Sequence, residues 1–254
     1  MLALHKKRIL VTRTRTQASD LATRLEALGA TPILIPTIEI VPPATYAPLD
    51  AAVAQLGSFD WLIFTSANAV EVFNQRRQLS HTPQRIAVIG PATARAVQGI
   101  GLHVDLIPPK YVAESLAEAL APRAHGKRVL LIRAAAARDV LPEALIAAGA
   151  TVTIAEAYRN RIPPESIPSL RQLFAAPANL PDAITFTSAS TARNLIALLE
   201  AANLSLPPEV LLASIGPVTS QALRDLGYEP SMEASAATIE ALIQSLVARL
   251  SPAS

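Results

Sequence analysis

Phe64-Thr65-Ser66-Ala67-Asn68 returns as Phe186-Thr187-Ser188-Ala189-Ser190, 122 residues further along the chain. Three other blocks repeat in the same order. Arg8-Ile-Leu-Val-Thr-Arg13 is similar to Arg128-Val-Leu-Leu-Ile-Arg133, and Leu28-Gly-Ala30 to Ala148-Gly-Ala150, both at an offset of 120. Ile89-Gly-Pro-Ala-Thr93 returns as Ile215-Gly-Pro-Val-Thr219 at an offset of 126. Ordered blocks with a slowly drifting offset mark an internal duplication. The chain is two copies of one unit.

Working outward from these blocks, each copy alternates short apolar runs with segments of helical period. Arg8 to Thr12 reads as a strand, and Gln17 to Leu28 as an amphipathic helix stopped by Gly29. Thr31 to Ile40 is extended, with a break at Pro36. Asp60 to Phe64 and Ile86 to Ile89 are continuous apolar runs, the pattern of strands covered on both faces. Helices follow at Ala67 to Arg77 and Ala92 to Ile100, and Val112 to Leu120 and Thr238 to Leu250 carry helical apolar spacing. Alternation of this kind predicts an α/β fold with parallel sheets flanked by helices.

Two extended segments, Ile35 to Pro43 and Ala155 to Pro164, occupy equivalent places and both end in Pro-Pro, which cannot continue a helix. Two divisions follow. Contiguous lobes would span about 1–122 and 123–254. Alternatively the chain crosses twice, through linkers at about 39–43 and 159–164. Lobe one is then 1–38 plus 165–254, and lobe two is 41–160.

Composition narrows the function classes. The chain has 254 residues, 51% hydrophobic and 17% charged, and no cysteine. Disulfides, thiolate metal sites and Cys nucleophiles are excluded. No secretory h-region precedes Arg13, and the charge-free stretch Val210 to Leu223 is too short to span a bilayer, so a cytoplasmic protein off the membrane is expected. Of 22 basic residues only Lys6, Lys7, Lys110 and Lys127 are lysine. The arginines are scattered without interleaved aromatics, which argues against nucleic acid. Gly99-Ile-Gly101 follows a helix and is a helix stop, no dinucleotide loop. His5, His81, His103 and His125 show no ligand or triad spacing, so no metal and no cofactor are expected.

The repeated motifs fall where a strand gives way to a helix. In a parallel sheet such junctions gather at the carboxyl ends of the strands, where ligands bind. Helix N-terminal N–H groups, together with Ser and Thr hydroxyls, favour anions, and arginine holds carboxylates through paired hydrogen bonds. The candidate binding residues are therefore Arg13, Thr65, Ser66, Asn68, Gly90, Thr93, Arg133, Thr187, Ser188, Ser190, Gly216, Val218 and Thr219. Each also has a simpler reading: Ser and Thr before a helix serve as N-caps, and Gly-Pro makes a tight turn. Asp60 and Asp182, just ahead of the repeated strands, read as loop residues. Tyr158, in the second linker at the place of Glu39 in the first, could donate a proton or merely pack.

Phe64-Thr-Ser-Ala-Asn68, Ile89-Gly-Pro-Ala-Thr-Ala-Arg95, Tyr111-Val-Ala-Glu-Ser-Leu116, Ala157-Tyr158, Phe186-Thr-Ser and Ile215-Gly-Pro-Val-Thr219 together resemble the uroporphyrinogen-III synthase family over essentially the whole chain. The resemblance implies two α/β lobes joined by a two-stranded antiparallel linker, which favours the twice-crossing division. It implies hydroxymethylbilane, a linear tetrapyrrole with eight carboxylates, as substrate. It further implies loss of water, inversion of ring D and closure to uroporphyrinogen III, through an azafulvene and a spiro intermediate, for haem, sirohaem, chlorophyll or cobalamin synthesis. On the family pattern Ser66, Thr93, Ser188 and Thr219 contact substrate, and Tyr158 protonates the departing hydroxyl. A monomer is expected, with transient hand-over of substrate from hydroxymethylbilane synthase. The competing reading is a non-catalytic two-lobed anion sensor, which would carry an effector region; none is read here.

Overall fold

The computed structural model describes residues 2–13, 15–77 and 84–251, with side chains except at positions 15–17. The chain divides into two compact units, Met1–Glu39 with Arg161–Ser254, and Ile40–Asn160.

The chain starts in the first unit with β1 (Arg8–Val11), α1 (Arg15–Ala27) and β2 (Thr31–Leu34). The second unit follows: β3 (Glu39–Val41), α2 (Ala47–Ala54), β4 (Trp61–Phe64), α3 (Ala67–Arg76), β5 (Ile86–Val88) and α4 (Pro91–Gly99). It continues through α5 (Ala113–Leu120), β6 (Arg128–Ala134), α6 (Val140–Ala147) and β7 (Thr151–Arg161). The first unit is then completed by α7 (Ser166–Leu173), β8 (Ala183–Phe186), α8 (Ala189–Ala201) and β9 (Leu211–Ser214). Last come α9 (Pro217–Asp225), β10 (Met232–Glu233) and α10 (Ile239–Leu250).

Each unit is built on a five-stranded sheet, ordered β10-β9-β8-β1-β2 in the first and β3-β7-β6-β4-β5 in the second. The pairs β1–β2, β1–β8 and β8–β9 are parallel, as are β4–β5, β4–β6 and β6–β7. Each sheet therefore joins strands from both copies: β1 of copy one pairs with β8 of copy two, and β6 of copy two with β4 of copy one. The first part of each linker of the sequence reading is strand: β7 runs unbroken to Arg161, and β3, ending at Val41, lies beside it at the sheet edge.

Both faces of each sheet are covered, which accounts for the continuous apolar runs. In β6, Leu130 and Ile132 belong to one core layer of the second unit, while Val129 and Leu131 face the other. In β1, Leu10 faces one layer, and Ile9 and Val11 the opposite one. Helices α1 and α6 both end on a glycine at φ +87°, Gly29 and Gly149. After each glycine the chain turns back, with Ala30 N–H donating to Leu25 O and Ala150 N–H to Leu145 O, both at 3.0 Å. That is a Schellman ending, which needs the left-handed conformation glycine adopts at low cost.

Asp60 and Asp182 are more than loop residues. Asp60 accepts from Arg128 N–H at 2.9 Å and from Lys127 Nζ at 3.0 Å; Asp182 accepts from Arg8 N–H at 2.8 Å and Lys7 Nζ at 3.1 Å. Each carboxylate thus fastens the start of a strand from the other copy. The Arg128 amide first, then Lys127, hold the Asp60 carboxyl below its ordinary range. A depressed folded-state value contributes stability above the unfolded value, about 4, and that contribution is lost as pH falls through the folded value. Asp60→Asn is expected to flatten the acid loss of stability below about pH 4, read as the unfolding midpoint of Trp61 fluorescence against pH. An unchanged slope would show that the contact contributes nothing.

Where the chain leaves the first unit it is held by hydrogen bonds, two of them buried and two partly buried. Thr12 Oγ1 donates to Thr185 O at 2.8 Å, and Thr37 Oγ1 to Thr12 O at 3.0 Å. Ser166 Oγ donates to Pro36 O at 2.7 Å, and Asn194 Nδ2 to Thr37 O at 3.0 Å. The outgoing and returning segments are thereby tied to the end of β1 and to each other.

Candidate active site

In the second unit β4 ends at Phe64, and Thr65-Ser66 turns the chain into α3. Ser66 is the extended N-cap (φ −161°), its Oγ accepting from Ala69 N–H at 3.1 Å. The Tyr158 hydroxyl donates to the same Ser66 Oγ at 3.2 Å. What aims Tyr158 there is an irregularity in the β6–β7 ladder. Arg133 pairs with Glu156, but the next pair is Ala134 with Tyr158. One extra residue on β7 places Ala155, Ala157 and Tyr158 all in the core layer that packs on α3, although alternation would send residue 158 to the opposite face. Tyr158 is 8% exposed.

A cavity of about 380 Å³ opens beside this tyrosine, lined by Thr65, Tyr111, Arg133, Arg138, Tyr158, Asn160 and the small residues Ala134, Ala136 and Ala137, among others. Arg133 is a strand residue of β6, 8% exposed. Its Nη1 donates to Arg138 O at 3.0 Å and its Nη2 to Asp139 Oδ1 at 2.6 Å, so two of its N–H groups hold the loop that walls the cavity. Arg138 is exposed and grips Glu114 at 2.6 and 3.3 Å. Glu114 is held below its ordinary carboxylate range by its own N–H in the first turn of α5 and by Arg138. An exposed pair of this kind is screened by solvent and adds little, so an anionic ligand can compete for Arg138 at low cost.

Gly90 caps α4 in extended conformation and lies close under the Tyr111 side chain. A Cβ there would lie 3.2 Å from the Cβ and Cγ of Tyr111, a residue 61% exposed beside the same cavity. Neither Tyr111 nor Arg138 was singled out from the sequence as a site residue. For Tyr111 the available signal was its place at the head of the Tyr111-Val-Ala-Glu-Ser-Leu116 block that carries the family resemblance.

The other candidates sit as follows. Thr93 and Thr219 occupy the third position of α4 and α9 and are buried, 4% and 3% exposed, whereas Val218 at the second position of α9 is 75% exposed. Asn68 lies in the first turn of α3, half-buried. Ser188 caps α8 in a reciprocal box with Thr191, Thr187 is half-buried and Ser190 is exposed. Gly216 is locked by Ser214, whose Oγ donates to Gly216 O at 2.9 Å. Arg13 follows β1, and burial pushes its guanidinium down from the usual value, partly opposed by Asp20. The structure brings Thr65, Arg133 and Tyr158 to one cavity of the second unit, with Ser66 on the tyrosine. The cavity of about 350 Å³ in the first unit lies elsewhere, between Arg8, Ile33 to Ile35 and α7, and none of the candidates lines it. No helix among the described residues is long and apolar enough to cross a membrane. His81 lies outside the described residues.

A family model described as uroporphyrinogen-III synthase HemD matches residues 19–244. The chain belongs to the uroporphyrinogen-III synthase family. It is 40% identical to the uroporphyrinogen-III synthase of Synechococcus elongatus over 93% of both chains. It is 29% identical to that of Chlorobaculum parvum, over 88% of this chain and 91% of the other. Among solved structures it resembles a mutant uroporphyrinogen III synthase of Thermus thermophilus (TM-score 0.62, 21% identity, 94% and 96% coverage). It also resembles the Helicobacter pylori enzyme (TM-score 0.61, 19% identity, 96% and 99% coverage). These last two likenesses concern the fold. Uroporphyrinogen-III synthesis is the function that family membership carries.

Proposed function

We propose that the chain acts as a lyase on hydroxymethylbilane, expelling its terminal hydroxyl as water and closing the macrocycle with ring D inverted. The observation that carries this reading at the level of residues is the Tyr158 phenol. It is nearly buried, held by Ser66 at 3.2 Å, and lines a cavity that also has two guanidiniums on its wall.

Little strong acid–base chemistry is needed, because the lone pair of the pyrrole nitrogen can push out the hydroxyl. Tyr158 donates the proton that turns the departing hydroxyl into water. The closing pyrrole carbon later releases a proton, which restores the phenol. Arg138, freed from Glu114, takes a carboxylate of the substrate. Arg133 keeps the 135–139 loop in place, and the alanines of that loop leave room for a ring. The exposed Tyr111 ring, seated over Gly90, offers a face to a pyrrole. Rate arises mainly from holding the chain so that closure at the inverted position is the near one, an orientation effect. Arg13 and the Ser188 and Gly216 junctions of the first unit are proposed as further carboxylate contacts. The protein is proposed to work in the cytoplasm as a monomer that receives its labile substrate directly from hydroxymethylbilane synthase.

The test is to add the protein to freshly generated hydroxymethylbilane. Consumption well above the spontaneous rate is expected; a rate equal to the spontaneous one would overturn the proposal.

A further inference from the structure

The two copies treat the same helix cap differently. In the first unit Ser188 N–H donates to Thr191 Oγ1 at 3.2 Å, Thr191 N–H to Ser188 Oγ at 3.2 Å, and Thr191 Oγ1 to Ser188 O at 2.7 Å. The cap is closed on itself. In the second unit the residue equivalent to Thr191 is Ala69, so no side chain three residues on completes the box. Ser66 still accepts from Ala69 N–H at 3.1 Å, and its remaining capacity goes to the phenol of Tyr158. A serine in this place does more than end a helix.

We propose that Ser66 is a positioning residue for Tyr158, acting on the reaction through the tyrosine. This rests on the reading of Tyr158 as the proton donor. A hydroxyl rotor can turn, so the bond between the two oxygens runs in either direction. With Tyr158 donating, the phenol is held in place before substrate binds. When a substrate hydroxyl approaches, the bond reverses, and Ser66 O–H donates to the phenol oxygen while the phenol proton turns to the leaving group. The chain is then Ala69 N–H to Ser66 Oγ, Ser66 O–H to Tyr158 Oη, and Tyr158 O–H to the departing oxygen. Each donation polarises the next. As the carbon–oxygen bond breaks, the proton passes from Tyr158 to the hydroxyl and water leaves. The phenolate left behind accepts from Ser66, which is anchored at the positive end of the ten-residue α3. Proton release on ring closure regenerates the phenol.

The inference separates Ser66 from a simple substrate contact. Ser66→Gly removes the hydroxyl but keeps a tolerable cap. Ser66→Thr keeps both cap and hydroxyl. We expect Ser66→Gly to lower kcat by about three- to tenfold with KM unchanged, and Ser66→Thr to recover most of the loss. On a Tyr158→Phe background, adding Ser66→Gly is expected to cost nothing further, since its route to the reaction has already been removed. Multiplying losses in the double variant, or a rise in KM with kcat intact, would overturn the inference while leaving Tyr158 as the donor. Full turnover in Tyr158→Phe alone would overturn both readings together.

Discussion

Replacing Tyr158 by phenylalanine is expected to leave the fold in place and to slow cyclisation by about tenfold or more, the low end of what a positioned general acid contributes. The ring belongs to the core layer between β7 and α3, and phenylalanine fills that space without strain. Only the phenolic oxygen is removed, together with its bond to Ser66. Substrate binding should change little, because the groups proposed to hold the carboxylates are untouched, so the loss falls on kcat. The measurement is single-turnover cyclisation of hydroxymethylbilane, with Trp61 fluorescence confirming the fold. Unchanged turnover would remove Tyr158 from the mechanism and reduce its hydrogen bond to a packing detail.

The second large effect concerns stability. Phe73 is fully buried on α3 and meets Phe64 edge-on at 5.2 Å between ring centres. Phe73→Ala removes a ring from a layer closed by β4, β6 and β7, and such truncations cost about 3–5 kcal/mol. About 1 kcal/mol of that belongs to the ring pair. The chain has a single tryptophan, Trp61 in β4, so its fluorescence reports on the second unit alone. The denaturation midpoint followed at Trp61 should fall steeply. A loss below about 1 kcal/mol would mean that the layer collapses onto the vacated space, contrary to the close packing assigned to it. Because α3 also carries the Ser66 cap, the same substitution should reduce activity through misplacement of Tyr158.

How much of this was legible in the sequence depends on whether the information is local. The duplication, the α/β class and the strand-to-helix junctions are written in short repeated runs: Phe64-Thr-Ser against Phe186-Thr-Ser, and Gly90-Pro against Gly216-Pro. Exchange of strands between copies is not written there, since β1, which lies beside β2 of its own copy, could take β4 as its other neighbour as well as β8. Asp60 and Asp182 carry that information only once their partners, the amides of Arg128 and Arg8, are seen. Tyr158 stood out by its place in an extended segment, but its aim depends on one additional residue in the β7 ladder. No pattern in Ala155-Glu-Ala-Tyr158 reports that, because strict alternation would have placed the ring on the other face. Arg133 read as a ligand for substrate, and the structure shows it holding Asp139 and the Arg138 carbonyl. Arg138 looks like an ordinary surface residue, and Tyr111 like no more than the head of a family block, until the cavity that both line is described. What the sequence could not express was proximity between distant surface groups.

On the proposed function, the residues around Tyr158 and the repeated junctions hold a flexible polyanion so that its last ring closes inverted. The most direct test generates hydroxymethylbilane enzymatically, adds this protein, oxidises the products and separates the isomers. The type III isomer is expected as the dominant product; the symmetric type I isomer alone would show that the last ring is not held for inverted closure.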